Sequence, residues 1–154
     1  MSYSLEPISE QRLARVRPDL AKVIRSAQTI LPYLIRVTCG ARTPAEQRVL
    51  YDLGKTRTLH SRHFIQSDGF SHAADVVALF KGEPDWSSER FFEIATAVRT
   101  VALSSGTRVT WGGIWEPPLN DIVGPLADHR VTYVKGFVAK HGRKPFFDAP
   151  HFQV

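Results

Sequence analysis

Apolar residues recur at helical spacing in two segments of the chain. In Pro18–Ile30 they fall on one face of a 3.6-residue period, and the same period runs through residues 86–105, which a glycine ends. A third helix is predicted after residues 43–46 (TPAE), which have the form of a capping box with proline at the first helical position. We expect that helix to end near Leu53. The pattern therefore predicts three helices spread along the chain.

Short β-rich segments lie between these helices, and residues 55–71 are polar and irregular. Proline and glycine punctuate the stretch 116–145, in which we expect one short helix at 133–140. Helices and short strands mixed without a regular strand–helix–strand alternation predict an α+β domain with a small, mainly antiparallel sheet flanked by helices. The predicted strands are 33–39, 75–80, 108–111 and 151–154.

The composition is that of a globular domain. Of the 154 residues, 43% are hydrophobic and 23% are charged. The sequence has no apolar run of about 18 residues or more, which excludes a transmembrane helix, and we expect no secretory signal peptide. Cys39 is the single cysteine, so an intramolecular disulfide is excluded, and we expect it to be a small core residue on a strand.

The charge balance indicates acidic partners. Twenty Lys and Arg residues against fifteen Asp and Glu give a formal net charge of +5, with an isoelectric point near 9.7. Such a surface favours nucleic acid, anionic lipid or an acidic cell-wall polymer. The basic residues are scattered except for a short cluster at 140–144. Charge alone does not choose among these partners.

Two histidines and a carboxylate lie in three separate polar segments. His63 ends the sequence SRH, Asp75 follows SHAA, and His151 lies in DAPHFQV. Zinc accepts imidazole nitrogen and carboxylate oxygen, so these residues are sufficient for a catalytic zinc site. A further carboxylate must then take a proton from water, and Asp148 lies close enough in sequence to His151 to do so. On spacing alone, the alternative is that each histidine is an ordinary hydrogen-bonded surface or core residue.

Five short motifs, in this order, resemble the D-alanyl-D-alanine carboxypeptidase-like metallopeptidases, and among these the L-alanyl-D-glutamate peptidases of phages. The resemblance covers nearly the whole chain and implies a fold of the hedgehog and D,D-peptidase type. The motifs are LARVRPDLAKVI at 13–24, GART at 40–43 with Gln47, SRH at 61–63 with AAD at 73–75, WGGIW at 111–115, and DAPHF at 148–152.

Carried over to this sequence, the resemblance implies that His63, Asp75 and His151 bind one Zn²⁺ per chain and that Asp148 is the catalytic base. It also implies that Arg42 faces the substrate, where a guanidinium can hold a carboxylate or stabilise an oxyanion. The alternative for Arg42 is a surface charge at the start of a helix.

Four further residues are candidates for supporting the metal loop or lining the substrate groove. We expect Gln47 to brace the loop and Ser61 to hydrogen-bond beside the metal loop. Trp111 and Trp115 either line a groove for the sugar-peptide substrate or belong to the core and its turns.

The sequence departs from the family's pattern in three places. His63 lies farther from the following aspartate than in the family, and the additional residues fall within 64–70. We expect these residues to bulge out and leave His63 in place, with His72 as the reserve ligand. Ile114 stands where these enzymes often have aspartate. The long stretch 116–145 forms either a lid or groove wall, or a surface excursion.

The leading hypothesis is a zinc-dependent peptidoglycan endopeptidase, a phage endolysin that hydrolyses the L-alanyl-D-glutamate bond of the stem peptide and leads to host lysis. We expect one catalytic domain over residues 1–154, without a separate cell-wall-binding domain. We expect a monomer that binds no nucleic acid, does not insert stably into a membrane, is made in the host cytoplasm and acts on the periplasmic wall after membrane permeabilisation. The alternatives are a D,D-carboxypeptidase or dipeptidase of the same fold, and a non-catalytic peptidoglycan-binding or virion structural domain.

Overall fold

The structure is a computed structural model that describes residues 3–154. It consists of one antiparallel sheet with helices packed against it. The strand order is β1-β2-β5-β4, and β3 forms a hairpin with β2. The strands are β1 (Ile35–Cys39), β2 (Ala73–Phe80), β3 (Glu83–Asp85), β4 (Thr110–Trp111) and β5 (His151–Gln153). The helices are α1 (Pro7–Leu13), α2 (Pro18–Ile30), α3 (Pro44–Asp52), α4 (Ser88–Ser105) and α5 (Leu126–His141), with a 3-10 helix at Leu119–Asp121. The predicted α+β class is confirmed.

The core lies where α2 and α4 pack against each other and α4 packs against β2. Both helices bury the apolar stripe that the sequence pattern predicts, including Ile24 of α2 and Ile94 of α4. At the predicted end of α4, Gly106 has a φ of 72°, a left-handed conformation that glycine adopts without strain. None of the helices in the described part of the chain has the length and apolar character that a membrane span requires.

The register of the sheet brings distant residues side by side. Asp75, in β2, is paired with Cys39 of β1 on one side and with His151 of β5 on the other. Directly opposite residues of antiparallel strands have Cβ atoms about 5 Å apart. Asp75 and His151, 76 positions apart in sequence, therefore lie within side-chain reach of each other.

The structure differs from the predicted elements in three places. The hydrophobic pattern predicts neither α1, which has two buried residues, nor the three-residue strand β3. The prediction of a short helix at 133–140 is wrong in length, because α5 has 16 residues. Leu126 is the one buried residue of α5, so no apolar stripe marks the helix. Its ends carry ordinary signals, with Asp128 in the first turn and a left-handed Gly142 after the last.

Candidate active site

Two imidazoles and one carboxylate meet where β2 and β5 pair. Nε2 of His63 lies 3.1 Å from Oδ1 of Asp75 and 3.2 Å from Nδ1 of His151, and this last nitrogen lies 3.2 Å from the same Oδ1. Oγ of Ser61 accepts a hydrogen bond from the backbone N–H of His63 at 3.1 Å. The three residues predicted as metal ligands therefore form a nearly equilateral triangle of donor atoms.

A hydrogen bond on the far nitrogen of each imidazole fixes its orientation. Nδ1 of His63 lies 2.7 Å from the carbonyl oxygen of Gly40, which only accepts, so this nitrogen carries the proton. Nε2 of His151 lies 2.9 Å from Oε1 of Gln153 and donates in the same way. In the neutral form of each ring, the nitrogen without a proton then faces Asp75. In that neutral form, which a metal ion requires, two lone pairs and a carboxylate oxygen converge with no proton between them.

A small divalent metal ion fits this triangle. Edges of 3.1–3.2 Å are those of a tetrahedron whose centre lies about 1.9 Å from each corner, close to the zinc–nitrogen distance of about 2.0 Å. Metal-bound histidines generally donate their other N–H to a carbonyl or carboxylate, as both of these rings donate to an amide carbonyl oxygen. The donor set and its supporting hydrogen bonds thus agree with a metal site.

Cys39 is a second candidate ligand at the same place. One donor atom from each of Cys39, His63 and Asp75 lies within 4.8 Å of the other two. The triangle that includes His151 is tighter, and Sγ of Cys39 already accepts a hydrogen bond from Nη2 of Arg42 at 3.2 Å. The distances of 3.1–3.2 Å therefore favour His151 over Cys39 as the third ligand. The expectation of a core cysteine is wrong, because Cys39 is half-buried at the end of β1.

The cluster attracts positive charge. Burial opposes protonation of His63, but its hydrogen bonds to Asp75 and Cys39 and the negative charge of Asp75 together outweigh this effect and raise the pKa of His63 to about 10. Burial likewise opposes ionisation of Asp75, yet hydrogen bonds from His151 and His63 hold the pKa of this carboxyl well below its usual range. In the metal-free protein a proton on His63 supplies the required charge, and binding of a metal ion must displace that proton.

Asp148 lies beside the triangle without being part of it. Its Oδ2 is 3.9 Å from Nδ1 of His151, and burial, together with the negative charge of Asp75, raises the pKa of Asp148. The backbone N–H of Asp148 donates to the carbonyl of Gly112 at 3.0 Å, and the N–H of Gly112 donates to the carbonyl of His151 at 2.8 Å. A Cβ on Gly112 would overlap the carbonyl oxygen of Asp148, so this approach requires glycine.

Arg42 reaches the cluster from the turn before α3. Its Nη2 lies 3.7 Å from Oδ2 of Asp75, and its Nη1 donates to Oε1 of Gln47 at 2.7 Å. Gln47 is 1% exposed, and its Nε2 donates to the carbonyl of Thr58 at 2.7 Å and to Oγ1 of Thr56 at 3.3 Å. The buried amide of Gln47 therefore connects Arg42 to the polar loop that follows α3.

The additional residues within 64–70 form a turn closed by its own backbone hydrogen bonds. At the base of this turn, the N–H of His72 donates to the carbonyl of Arg62 at 2.9 Å. The turn therefore bulges outward while His63 keeps its place in the cluster. The side chain of His72 pairs with the exposed Asp68 at 2.7 Å, so the reserve ligand is engaged elsewhere.

The two tryptophans have different surroundings. Trp111 is fully buried, and its Nε1 donates to the carbonyl of Ala149 at 2.7 Å, so of its two alternatives the groove is wrong and the core is confirmed. Ile114, which replaces the aspartate of the family's pattern, is also fully buried. Trp115 lines the cleft, where its ring centroid lies 5.4 Å from that of His151.

The cluster opens into a cleft of about 600 Å³. Two of the groups that orient the cluster, Gly40 and Gln153, are absent from the candidates found in the sequence. Gln153 had a usable signal, because residues two positions apart in a strand share a face and Gln153 follows His151 by two. Gly40 acts through its backbone carbonyl, which no side-chain pattern marks.

A buried cluster of imidazoles and carboxylates with shifted pKa values, at the base of a cleft, is typical of a catalytic site. The model of the family described as phage L-alanyl-D-glutamate peptidase matches residues 1–123. The L-alanyl-D-glutamate peptidase of Escherichia phage T5 is 28% identical over 118 residues, which are 75% of this chain and 83% of that protein. The crystal structure of the Serratia marcescens L-Ala D-Glu endopeptidase ChiX superposes with a TM-score of 0.71 at 31% identity, over 99% of this chain and 90% of that one.

The chain belongs to the phage L-alanyl-D-glutamate peptidase family. This membership confirms the family, the fold type and the peptidase class that the motifs predict.

Proposed function

We propose that this chain is a zinc-dependent endopeptidase that hydrolyses the L-alanyl-D-glutamate bond of peptidoglycan stem peptides. The observation that carries the proposal is the triangle of His63 Nε2, Asp75 Oδ1 and His151 Nδ1, with edges of 3.1–3.2 Å. Two imidazoles and one carboxylate are a ligand set that catalytic zinc sites use. The family's name and the printed names of two relatives support the same bond.

In this proposal His63, Asp75 and His151 hold the metal ion, and the carbonyl of Gly40 and the amide of Gln153 keep both rings in the tautomer that binds it. When bound, zinc would polarise the scissile carbonyl and lower the pKa of water to about 7. The two imidazoles and the carboxylate carry one negative charge in total, so the occupied site would keep a positive charge. Cys39 would remain outside the ligand set.

Asp148 is placed to accept a proton from the attacking water and to return it to the departing amine of D-glutamate. Its side chain is 30% exposed and faces the cleft that contains the cluster. Burial raises the pKa of Asp148 above its ordinary value, which favours both acceptance and return of a proton. Gly112 holds the Asp148 backbone, so the carboxylate has a defined position relative to His151.

Arg42 supplies a fixed positive charge next to the reacting bond. Its hydrogen bonds to Gln47 and Cys39 leave the guanidinium 15% exposed, on the wall of the cleft. A guanidinium in this position can bind a substrate carboxylate or stabilise the oxyanion that forms at the scissile carbonyl.

The biological setting follows from the substrate. A peptidoglycan endopeptidase of a phage would be made in the host cytoplasm and would reach the wall after the membrane is permeabilised, which leads to lysis. The net charge of +5 suits a wall polymer rich in carboxylates.

The test is mass spectrometry of peptides released from purified Gram-negative sacculi, with chelator and after zinc is restored. We expect stem peptides that begin at D-glutamate, lost on chelation and regained with zinc. Release of terminal D-alanine alone would assign the site to carboxypeptidase chemistry, and release that chelation does not affect would overturn the metal-dependent mechanism.

A further inference from the structure

Four cationic side chains line the cleft in addition to Arg42. They are Lys55, Arg57, Arg62 and Arg143, which we call the cationic rim. Within residues 3–154, none of the four lies within salt-bridge distance of a carboxylate. Many arginines elsewhere in the chain do have such a partner, namely Arg17, Arg25, Arg36, Arg48, Arg90 and Arg108.

The cleft contains no spare negative charge for the cationic rim. Among the residues that line it in the described part of the chain, the carboxylates are Asp75 and Asp148, and both face the ligand cluster. A cleft walled by one sign of charge concentrates ligands of the opposite sign. The rim is therefore complementary to an anionic group that the substrate must bring.

Two arginines of the rim are held by aromatic rings. The guanidinium carbon of Arg57 lies 5.7 Å from the centre of the Phe146 ring, and that of Arg143 lies 5.4 Å from the centre of the Phe137 ring. A guanidinium stacked on an aromatic face keeps its N–H edge free for a carboxylate. The loop that carries Arg57 is tied to the buried Gln47 through the carbonyl of Thr58, so the rim keeps a fixed relation to Arg42.

We propose that the cationic rim is a carboxylate subsite that holds the leaving peptide, from D-glutamate onward, and makes the enzyme selective for stem peptides with free carboxylates over amidated ones. This inference rests on the proposed function. D-Glutamate has two carboxyl groups, and chain continuation uses one of them, so a free carboxylate remains next to the scissile bond. The rim would bind that carboxylate and others further along the leaving peptide.

The experiment compares two synthetic stem peptides of one sequence, one with free carboxylates and one with every carboxylate amidated. We expect the wild-type protein, loaded with zinc, to have a kcat/KM at least tenfold higher for the free-carboxylate peptide. In R57Q/R143Q this ratio should fall by about tenfold, because two exposed ion pairs are removed and each contributes up to about fivefold. The fall should come from a higher KM for the free-carboxylate peptide. R15Q/K22Q, which removes the same two charges from exposed side chains outside the cleft, should keep the wild-type ratio.

A wild-type ratio near one, or a ratio in R57Q/R143Q equal to that of the wild-type protein, would show that the cationic rim is not a carboxylate subsite. Either result would leave the proposed function intact. If neither peptide is cut, the proposed function fails, and fluorescence anisotropy of a labelled free-carboxylate peptide then tests the rim by itself. Weaker binding to R57Q/R143Q than to the wild-type protein would support the rim, and equal binding would overturn it.

Discussion

The carbonyl oxygen of Gly40 accepts a hydrogen bond from Nδ1 of His63 at 2.7 Å, across 23 positions of sequence. A second hydrogen bond joins residues 40–42 to the loop that carries His63, because the backbone N–H of Arg42 donates to the carbonyl of His63 at 2.8 Å. These two bonds fix both the ring and the backbone of His63. In the neutral ring that a metal ion requires, the nitrogen without a proton consequently faces Asp75 and His151.

We predict that Gly40→Ala destabilises the protein by about 2 kcal/mol or more and lowers its metal content. A Cβ at this position would overlap the carbonyl oxygen of Arg12, and Cγ2 of Val16, 3.1 Å away, blocks relief. Denaturant unfolding and elemental analysis measure the two effects. The matched control is Gly136→Ala in α5, where a Cβ meets nothing within 4 Å and should stabilise the helix by about 0.5–1 kcal/mol. Equal stabilities for the two variants would contradict this role of Gly40.

Gln153→Ala should weaken metal binding by about 10- to 100-fold. Without the side-chain oxygen of Gln153, nothing holds the proton on Nε2 of His151, and the tautomer with a proton on Nδ1 becomes accessible. Competition with a chelating dye measures the affinity. Gln11→Ala, on the exposed face of α1, is the control and should bind like the wild-type protein. An unchanged affinity in Gln153→Ala would show that this hydrogen bond does not set the tautomer.

Asp148→Ala should retain the metal ion and lose activity by about 10²- to 10⁴-fold, because the variant lacks the group that accepts the proton. His151→Ala should lose both the metal ion and activity. Metal stoichiometry and hydrolysis of a stem peptide, measured on the same preparations, separate the two outcomes. Asp52→Ala, at an exposed position on α3, serves as the control. Full activity in Asp148→Ala would remove this residue from the mechanism.

The hydrogen bond between Tyr33 and Glu93 predicts a pH-dependent contribution to stability. The phenol donates to Oε2 of Glu93 at 2.6 Å, and this bond, together with Arg90, lowers the pKa of Glu93 from its ordinary 4.5. Because the pKa is lower in the folded protein, the stabilisation is present above pH 4.5 and is lost as the pH falls through the folded-state value. Tyr33→Phe should therefore cost up to about 1 kcal/mol at pH 7 and less at pH 3.

Urea unfolding at the two pH values measures this difference, with Tyr51→Phe at an exposed position of α3 as the control. A cost for Tyr33→Phe that is the same at pH 7 and pH 3 would show that Glu93 is not the group involved.

The sequence predicts the fold where an element has an apolar face or a clear capping signal. The stripes of α2 and α4 and the capping box of Thr43 all appear in the structure. It does not predict the length of α5, because that helix buries only Leu126 and no apolar stripe runs along it. Apolar periodicity reports burial, and an exposed helix has little of it.

For the site, the sequence supplies the candidate residues but not their arrangement. Asp75 and His151 become neighbours through the register of β2 and β5, which neither segment specifies alone. The sequence leaves Trp111 between groove and core, because an aromatic residue beside two glycines suits both. Arg143 of the cationic rim lies about 80 positions after the segment that carries the other three residues, so only the folded chain shows that they share a wall.

X-ray absorption at the zinc edge tests whether His63, Asp75 and His151 hold the metal ion. We expect one zinc per chain with nitrogen and oxygen neighbours at about 2.0–2.1 Å and an imidazole signature. A sulfur neighbour at about 2.3 Å would place Cys39 in the ligand set and contradict this assignment, as would failure to bind zinc stoichiometrically.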